Sequence, residues 1–171
     1  METVGDEPSL RFEVTVAGAS ALYPLGETPE PVEGMEFVRT RRGDPPGTYD
    51  ERNRPYLDFI GQIVQGGGRA GAFVSDDRGF ANVIRGRGGP PPPNTDVGHF
   101  HLDYGEFWFI LEGQIDYLIE GVPFISAHQG DVVYVPPGRY HRATAGGQGM
   151  ATRLAINGYP RGLHNWPAPQ Q

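Results

Sequence analysis

The chain of 171 residues has no cysteine, which excludes disulfides, thiolate metal sites and cysteine nucleophiles. It has no lysine either, because all 14 of its basic residues are arginine. Schiff-base chemistry, a lysine general base and the lysine of a phosphate-binding P-loop are therefore excluded. Long apolar runs are also missing. No stretch approaches the roughly 18 residues of a membrane helix, so no membrane partner is expected. Positive charge is scarce: the net charge is −7 and the isoelectric point is near 5.1. That balance argues against a nucleic-acid partner, whose phosphates need a basic face. The segment Met1–Pro8 has neither a basic n-region nor an apolar h-region. A cytoplasmic protein is expected, the alternative being an exported chain whose leader has been removed.

What the chain has in plenty is glycine, at 26 residues, and proline, at 17, together with 11% aromatics. This mixture favours short strands and turns over long helices. Leu10–Val16 reads as a strand and Met35–Val38 as a second. Asp44–Thr48 is a turn by composition. Residues 53–66 fit a short helix with Asn53 as cap, Tyr56, Phe59, Ile60, Ile63 and Val64 as its apolar positions, and Gly66 at its end. Leu57, Phe59 and Ile63 also fit a strand period. Gly66–Gly71 has the spacing G-x-G-x-x-G, but Ala72–Val74 reads as a strand and Asp76–Gly79 as a turn. The loop is thus a flexible turn rather than a dinucleotide site, which needs a helix at that point. Arg85-Gly-Arg87 reads as a solvated turn, and Pro90–Pro93 as a stiff lead-in.

From Gly98 onward the strand signals are dense. Glu106–Leu111, Gln114–Ile119, Val122–Ala127, Asp131–Val135 and Met150–Ile156 are strands separated by Glu112-Gly113, Glu120-Gly121 and Pro136-Pro-Gly138 turns. Five or six strands at this spacing predict an antiparallel sandwich or barrel. Four of the five histidines fall between His99 and His141. On an extended chain His99 and His101 project to one face. Glu106 follows after turn material at Tyr104-Gly105, and His141 arrives behind the Pro136–Gly138 bend. Three neutral imidazoles and one carboxylate suit one divalent transition metal: Fe, Mn, Ni, Co, Cu or Zn.

These residues resemble the two motifs of the cupin superfamily. The first is His99-x-His101, four residues, Glu106, six residues, Gly113. The second is Gly130, five residues, Pro136-x-Gly138, two residues, His141. Two positions depart from the pattern: Pro93 stands where a glycine is usual, and Ala145 where an asparagine is common. The resemblance covers residues 85–157. It implies an all-β fold, the cupin antiparallel β-barrel or jelly roll, in 85–171 with a Pro-rich tail. Residues 1–84 form an N-terminal extension supplying extra strands, a short helix or a dimer arm. The metal ligands it implies are His99, His101, Glu106 and His141; His128 and His164 are expected to be solvated.

Strand parity turns Trp108 and Ile110 inward with Glu106, and Phe107 and Phe109 outward. Outward aromatics could bury against residues 1–84 or a second subunit, and a homodimer is expected. Tyr104 and Tyr140 stand beside ligands as hydrogen-bond donors. Arg139, Arg142 and Arg153 are candidate clamps for a carboxylate or enolate, with Arg153 the best placed. The segments Arg139–Thr144 and Thr152–Leu154 are similar to acireductone dioxygenases. The four-residue gap before Glu106, and Trp108 where those enzymes carry an arginine, set this chain apart from their activity. The expectation is a mononuclear metal enzyme, dioxygenase-like, acting on a small oxygen-rich or aromatic chelating molecule. The alternatives are an isomerase or lyase, and a metal-stabilised binding module without turnover.

Overall fold

The computed structural model describes residues 11–14, 21–22, 37–38, 48–67, 70–76, 79–158 and 164–168. The chain divides into two compact units, Met1–Thr48 and Tyr49–Gln171. In the first, β1 (Ala21–Leu22) pairs in parallel with β2 (Phe37–Val38). Residues 11–14, the described part of the strand expected at Leu10–Val16, do not form one. The rest of that stretch, Met35 and most of Asp44–Thr48 lie outside the described residues.

The second unit is built from β3 (Ala70–Ser75), β4 (Gly79–Arg87), β5 (Glu106–Glu112), β6 (Gln114–Ile119), β7 (Ile125–His128), β8 (Val132–Val135), β9 (His141–Ala145) and β10 (Met150–Gly158). Five strands form one sheet in the order β3-β4-β10-β5-β8, and three form another in the order β7-β6-β9. All their pairings are antiparallel. Strands β3 and β4 fall mostly within residues 1–84, set apart above as an extension, and they are hydrogen-bonded into the same sheet as β10.

Period-two alternation decides what each sheet turns inward. On β5, Glu106, Trp108 and Ile110 are buried, while Phe107 and Phe109 are only partly covered. Phe107 stacks on Tyr134 at 4.6 Å on the outer side. The register aligns Val135, Glu106 and Asn157 in one inward row and Val133, Trp108 and Ala155 in the next. Trp108, Val133, Val135 and Ala155 meet Ile115, Tyr117, Ile119 and Ala127 of the smaller sheet in a single buried cluster.

The outer face of the larger sheet is covered by a helix at Phe59–Gln65, where Ile63 and Val83 are each 2% exposed. Phe59, Leu111 and Leu154 pack around them. Burying a side chain the size of Ile63 is worth about 1.5–3 kcal/mol. The helix begins later than expected. Its cap is Asp58, whose carboxylate accepts the Gly61 N–H at 2.9 Å. Asn53 is engaged elsewhere, accepting the Ser75 N–H at 2.8 Å. A Cβ at Gly61 would collide with the capping carboxylate. The last turn is wide, with Gly66 N–H reaching Gly61 O at 3.1 Å.

The strand expected at Val122–Ala127 starts only at Ile125. Arg85-Gly-Arg87 is not a solvated turn. It ends β4, and Arg85 is ion-paired with Glu112 at 2.9 Å across β10. Among the described residues no helix is long and apolar enough to cross a membrane.

Candidate metal centre

Each ligand candidate is placed by backbone geometry. His99 and His141 bridge as antiparallel partners, with His99 N–H to His141 O at 3.1 Å and His141 N–H to His99 O at 2.7 Å. This close approach requires Gly98, which has φ +75° and where a Cβ would strike the His141 carbonyl. His101 is tied to the Pro136–Gly138 bend by Gly138 N–H donating to its carbonyl at 2.7 Å. Glu106 opens β5 and faces inward by parity.

The outcome is that His99, His101, Glu106 and His141 each offer one ligand atom, and these atoms lie within 4.8 Å of one another. Glu106 Oε2 is 3.0 Å from His101 Nε2 and 3.3 Å from His141 Nε2. Burial alone would push the Glu106 carboxyl up. The hydrogen bonds and charges of His101 and His141 outweigh that and bring it down to about 2, so it is an anion at neutral pH. Burial and the neighbouring imidazoles of His141, His164 and His101 push His99 down to about 3, so it stays neutral.

The donor set fits a cation. His141 Nδ1 lies 3.0 Å from the Arg139 carbonyl, an acceptor only, which assigns the ring hydrogen to that nitrogen. His141 Nε2 then faces the Glu106 carboxylate at 3.3 Å, a separation that a proton or a metal cation between the two would satisfy. His99 Nε2 is buried with no hydrogen-bond partner. A carbonyl behind the distal nitrogen of a ligating histidine is the usual way such a ring is oriented toward a metal.

The four residues stand beside a chamber of about 440 Å³, within the range of small-molecule sites. His99, Glu106 and His141 line it together with Trp108, Arg142, Arg153, His164 and Trp166. Trp108 is 2% exposed, with its ring 5.4 Å from that of His141 and 5.0 Å from that of Tyr117. Arg153 lies opposite Ile110 and beside Ile84 on the inner face. Tyr104 stacks on the His101 ring at 4.7 Å. Tyr140 lines a different hollow, with Leu118, Val122 and Phe124. Arg139 donates to the Glu120 carbonyl at 2.7 Å on the exposed side, and Arg142 is ion-paired with Asp96 at the chamber wall.

His128 is exposed at the end of β7. His164 is likewise exposed and outside the ligand group, but its ring centroid is 4.2 Å from that of His99 and 5.0 Å from that of His101. Trp166 was not singled out at all, and its ring lies 5.2 Å from His99. The available signal was the spacing of His164 and Trp166, which puts both on one face of an extended segment. Two further buried groups are the Asn157 side-chain amide oxygen and the Tyr117 hydroxyl, neither with a hydrogen-bond partner. Burial pushes the Tyr117 hydroxyl up, against the opposing charge of Arg153.

Residues 91–157 match the family model for the cupin domain. The fold and the motif register of that segment agree with it, so residues 91–157 form a cupin domain. None of the curated proteins matches the chain. Among solved structures it is similar to the protein BH2720 of Bacillus halodurans, at 16% identity and a TM-score of 0.51, over 70% of this chain and 92% of that one. It is also similar to a cupin-2 domain protein of Shewanella frigidimarina, at 15% identity and a TM-score of 0.46, over 58% and 91% of the two chains. An RmlC-like cupin of Methanocaldococcus jannaschii, described as a double-stranded β-helix, aligns at 14% identity and a TM-score of 0.44, over 53% and 80%. At such identities the likeness is one of fold.

Proposed function

We propose that this cupin binds one divalent transition metal through His99, His101, Glu106 and His141. We propose further that it acts as a metal-dependent oxidoreductase of the dioxygenase type on a small oxygen-rich or aromatic chelating molecule. The observation that carries the metal is the convergence of one ligand atom from each of the four residues within 4.8 Å, with the unpartnered His99 Nε2 among them. The bound ion would polarise a chelating oxygen and, if it is iron, would open redox chemistry with dioxygen.

The chain's own residues divide the remaining work. Arg153 places a fixed positive charge on the chamber wall, where it can hold a substrate carboxylate or enolate. Trp108 gives the wall beside His141 a flat apolar surface and helps exclude water. Tyr104 holds the His101 ring from behind by stacking, as a positioning residue. Asp96 and Arg142 neutralise one another at the rim of the chamber.

The test is elemental analysis of protein purified without added metal, followed by dioxygen uptake with a panel of catechols and hydroxy acids. About one metal per chain and substrate-dependent uptake are expected. Metal without uptake for any member of the panel would remove the oxygenase assignment and keep the metal centre. No metal under any growth condition would remove both.

A further inference from the structure

The segment His164–Trp166 follows β10 and returns over the metal residues. Asn165 exchanges two backbone hydrogen bonds with Phe100, of 3.0 and 2.9 Å, and adds a third from its side-chain amide to the Phe100 carbonyl at 3.3 Å. Phe100 is the residue between His99 and His101. The strap is therefore pinned to the very segment that carries two of the four ligand candidates. In an antiparallel bridge the residues flanking each bridging residue project to the opposite side from it. His164 and Trp166 accordingly reach the His99 side, with ring separations of 4.2 and 5.2 Å, and both line the chamber.

Trp166 keeps 63% of its surface exposed despite this anchoring. An indole presents an apolar face on which a ring can stack. The chain has only two tryptophans. Both line this chamber, Trp108 buried beside His141 and Trp166 open beside His99. His164 stands outside the four-residue ligand group while bordering two of its members.

We infer that the strap is the specificity wall of the site, with Trp166 stacking on the ring of a flat aromatic chelator such as a catecholate or aromatic hydroxy acid. His164 spaces that ring from the metal residues. The inference rests on the proposed metal centre and adds to it the class of substrate. Ring stacking on a fixed indole contributes to affinity only for ligands that carry a ring.

The experiment uses the full-length, metal-loaded protein and isothermal titration with two probes: 3,4-dihydroxybenzoate, which has a ring, and oxalate, which has none. For Trp166→Ala, binding of 3,4-dihydroxybenzoate should weaken by about 10-fold while oxalate changes by less than about 2-fold. Trp166→Phe should restore most of the loss. Metal content and melting temperature should stay at the wild-type values in both variants. Equal losses for the two probes, no loss for either, or a wild type that binds oxalate but not 3,4-dihydroxybenzoate would each overturn the strap's role and leave the metal centre standing. Loss of metal in Trp166→Ala would overturn it too, by making the strap part of the metal site's support. A wild type that binds neither probe overturns the chelator wall. A wild type without metal overturns the underlying reading, and the wall with it.

Discussion

Strand β5 carries a carboxylate at each end, and the two ends have opposite chemistry. At the Glu112 end, Arg85 supplies two hydrogen bonds, of 2.9 and 3.2 Å, and the Thr152 hydroxyl donates a third at 2.6 Å. The Arg85 hydrogen bond is the main cause holding that carboxyl below the usual carboxylate range, with Thr152 next. The charge is balanced inside the protein. At the Glu106 end the carboxyl is 7% exposed and its partners are imidazoles alone. A buried anion without a permanent cation is costly, and a bound metal ion would offset that cost. One strand thus ends in a finished ion pair and begins in an unfinished one. The unfinished end is the one that opens onto the chamber.

The largest effect expected is on metal binding. Glu106→Gln should lower metal affinity by at least about 100-fold, because it removes the only anionic ligand. His141→Ala should do the same, whereas His128→Ala, on the exposed end of β7, should leave metal content unchanged. Titration of the demetallated variants with Co(II) would measure all three; equal loss in the His128 variant would show that the ligand set is misassigned.

A middle-sized effect belongs to Trp108, which shares the inner face of β5 with Glu106. Its indole touches both the hydrophobic cluster and the chamber, so Trp108→Phe should keep the metal. It should also cost about 1–3 kcal/mol of stability, measured by urea denaturation, and alter chelator affinity. A variant with unchanged stability and unchanged affinity would contradict this placement.

The smallest effect lies at the closed end. The folded-state value of Glu112 is depressed, so its contribution to stability is present above the unfolded carboxyl value and is lost as pH falls through the folded value. The melting temperature of Glu112→Gln should therefore fall below wild type at neutral pH, with the gap narrowing as pH falls through the carboxylate range. A gap that widens on acidification would reverse the assigned sign. Because the pair is partly exposed, the gap itself should be small.

Much of the core barrel was legible because its signals are local. The inward parity of Glu106, Trp108 and Ile110 follows from period-two alternation, and the structure buries all three. The four ligand candidates were legible because each sits in a motif whose turns, such as Gly138 beside His101, fix the backbone around it. The parts that were missed depend on long-range pairing. Strand β4 contains Gly86 and three polar side chains at Asn82, Arg85 and Arg87, and its place in the sheet is set by nine register pairs with β10. His164 reads as a tail residue until the bridge between Asn165 and Phe100, 65 positions apart, brings it over His99. Asn53 has the composition of a helix cap, but Ser75 on β3 claims its side chain and Asp58 takes the role.

The most direct measurement is the metal-to-protein ratio of wild type, Glu106→Gln and Glu112→Gln, prepared side by side and read by elemental analysis. The two substitutions remove the same charge from opposite ends of one strand. A ratio of about one for wild type and Glu112→Gln, with nearly none for Glu106→Gln, is the predicted result. Equal ratios for all three proteins, whether one or none, would contradict the assignment of Glu106 as the anionic ligand of a metal centre.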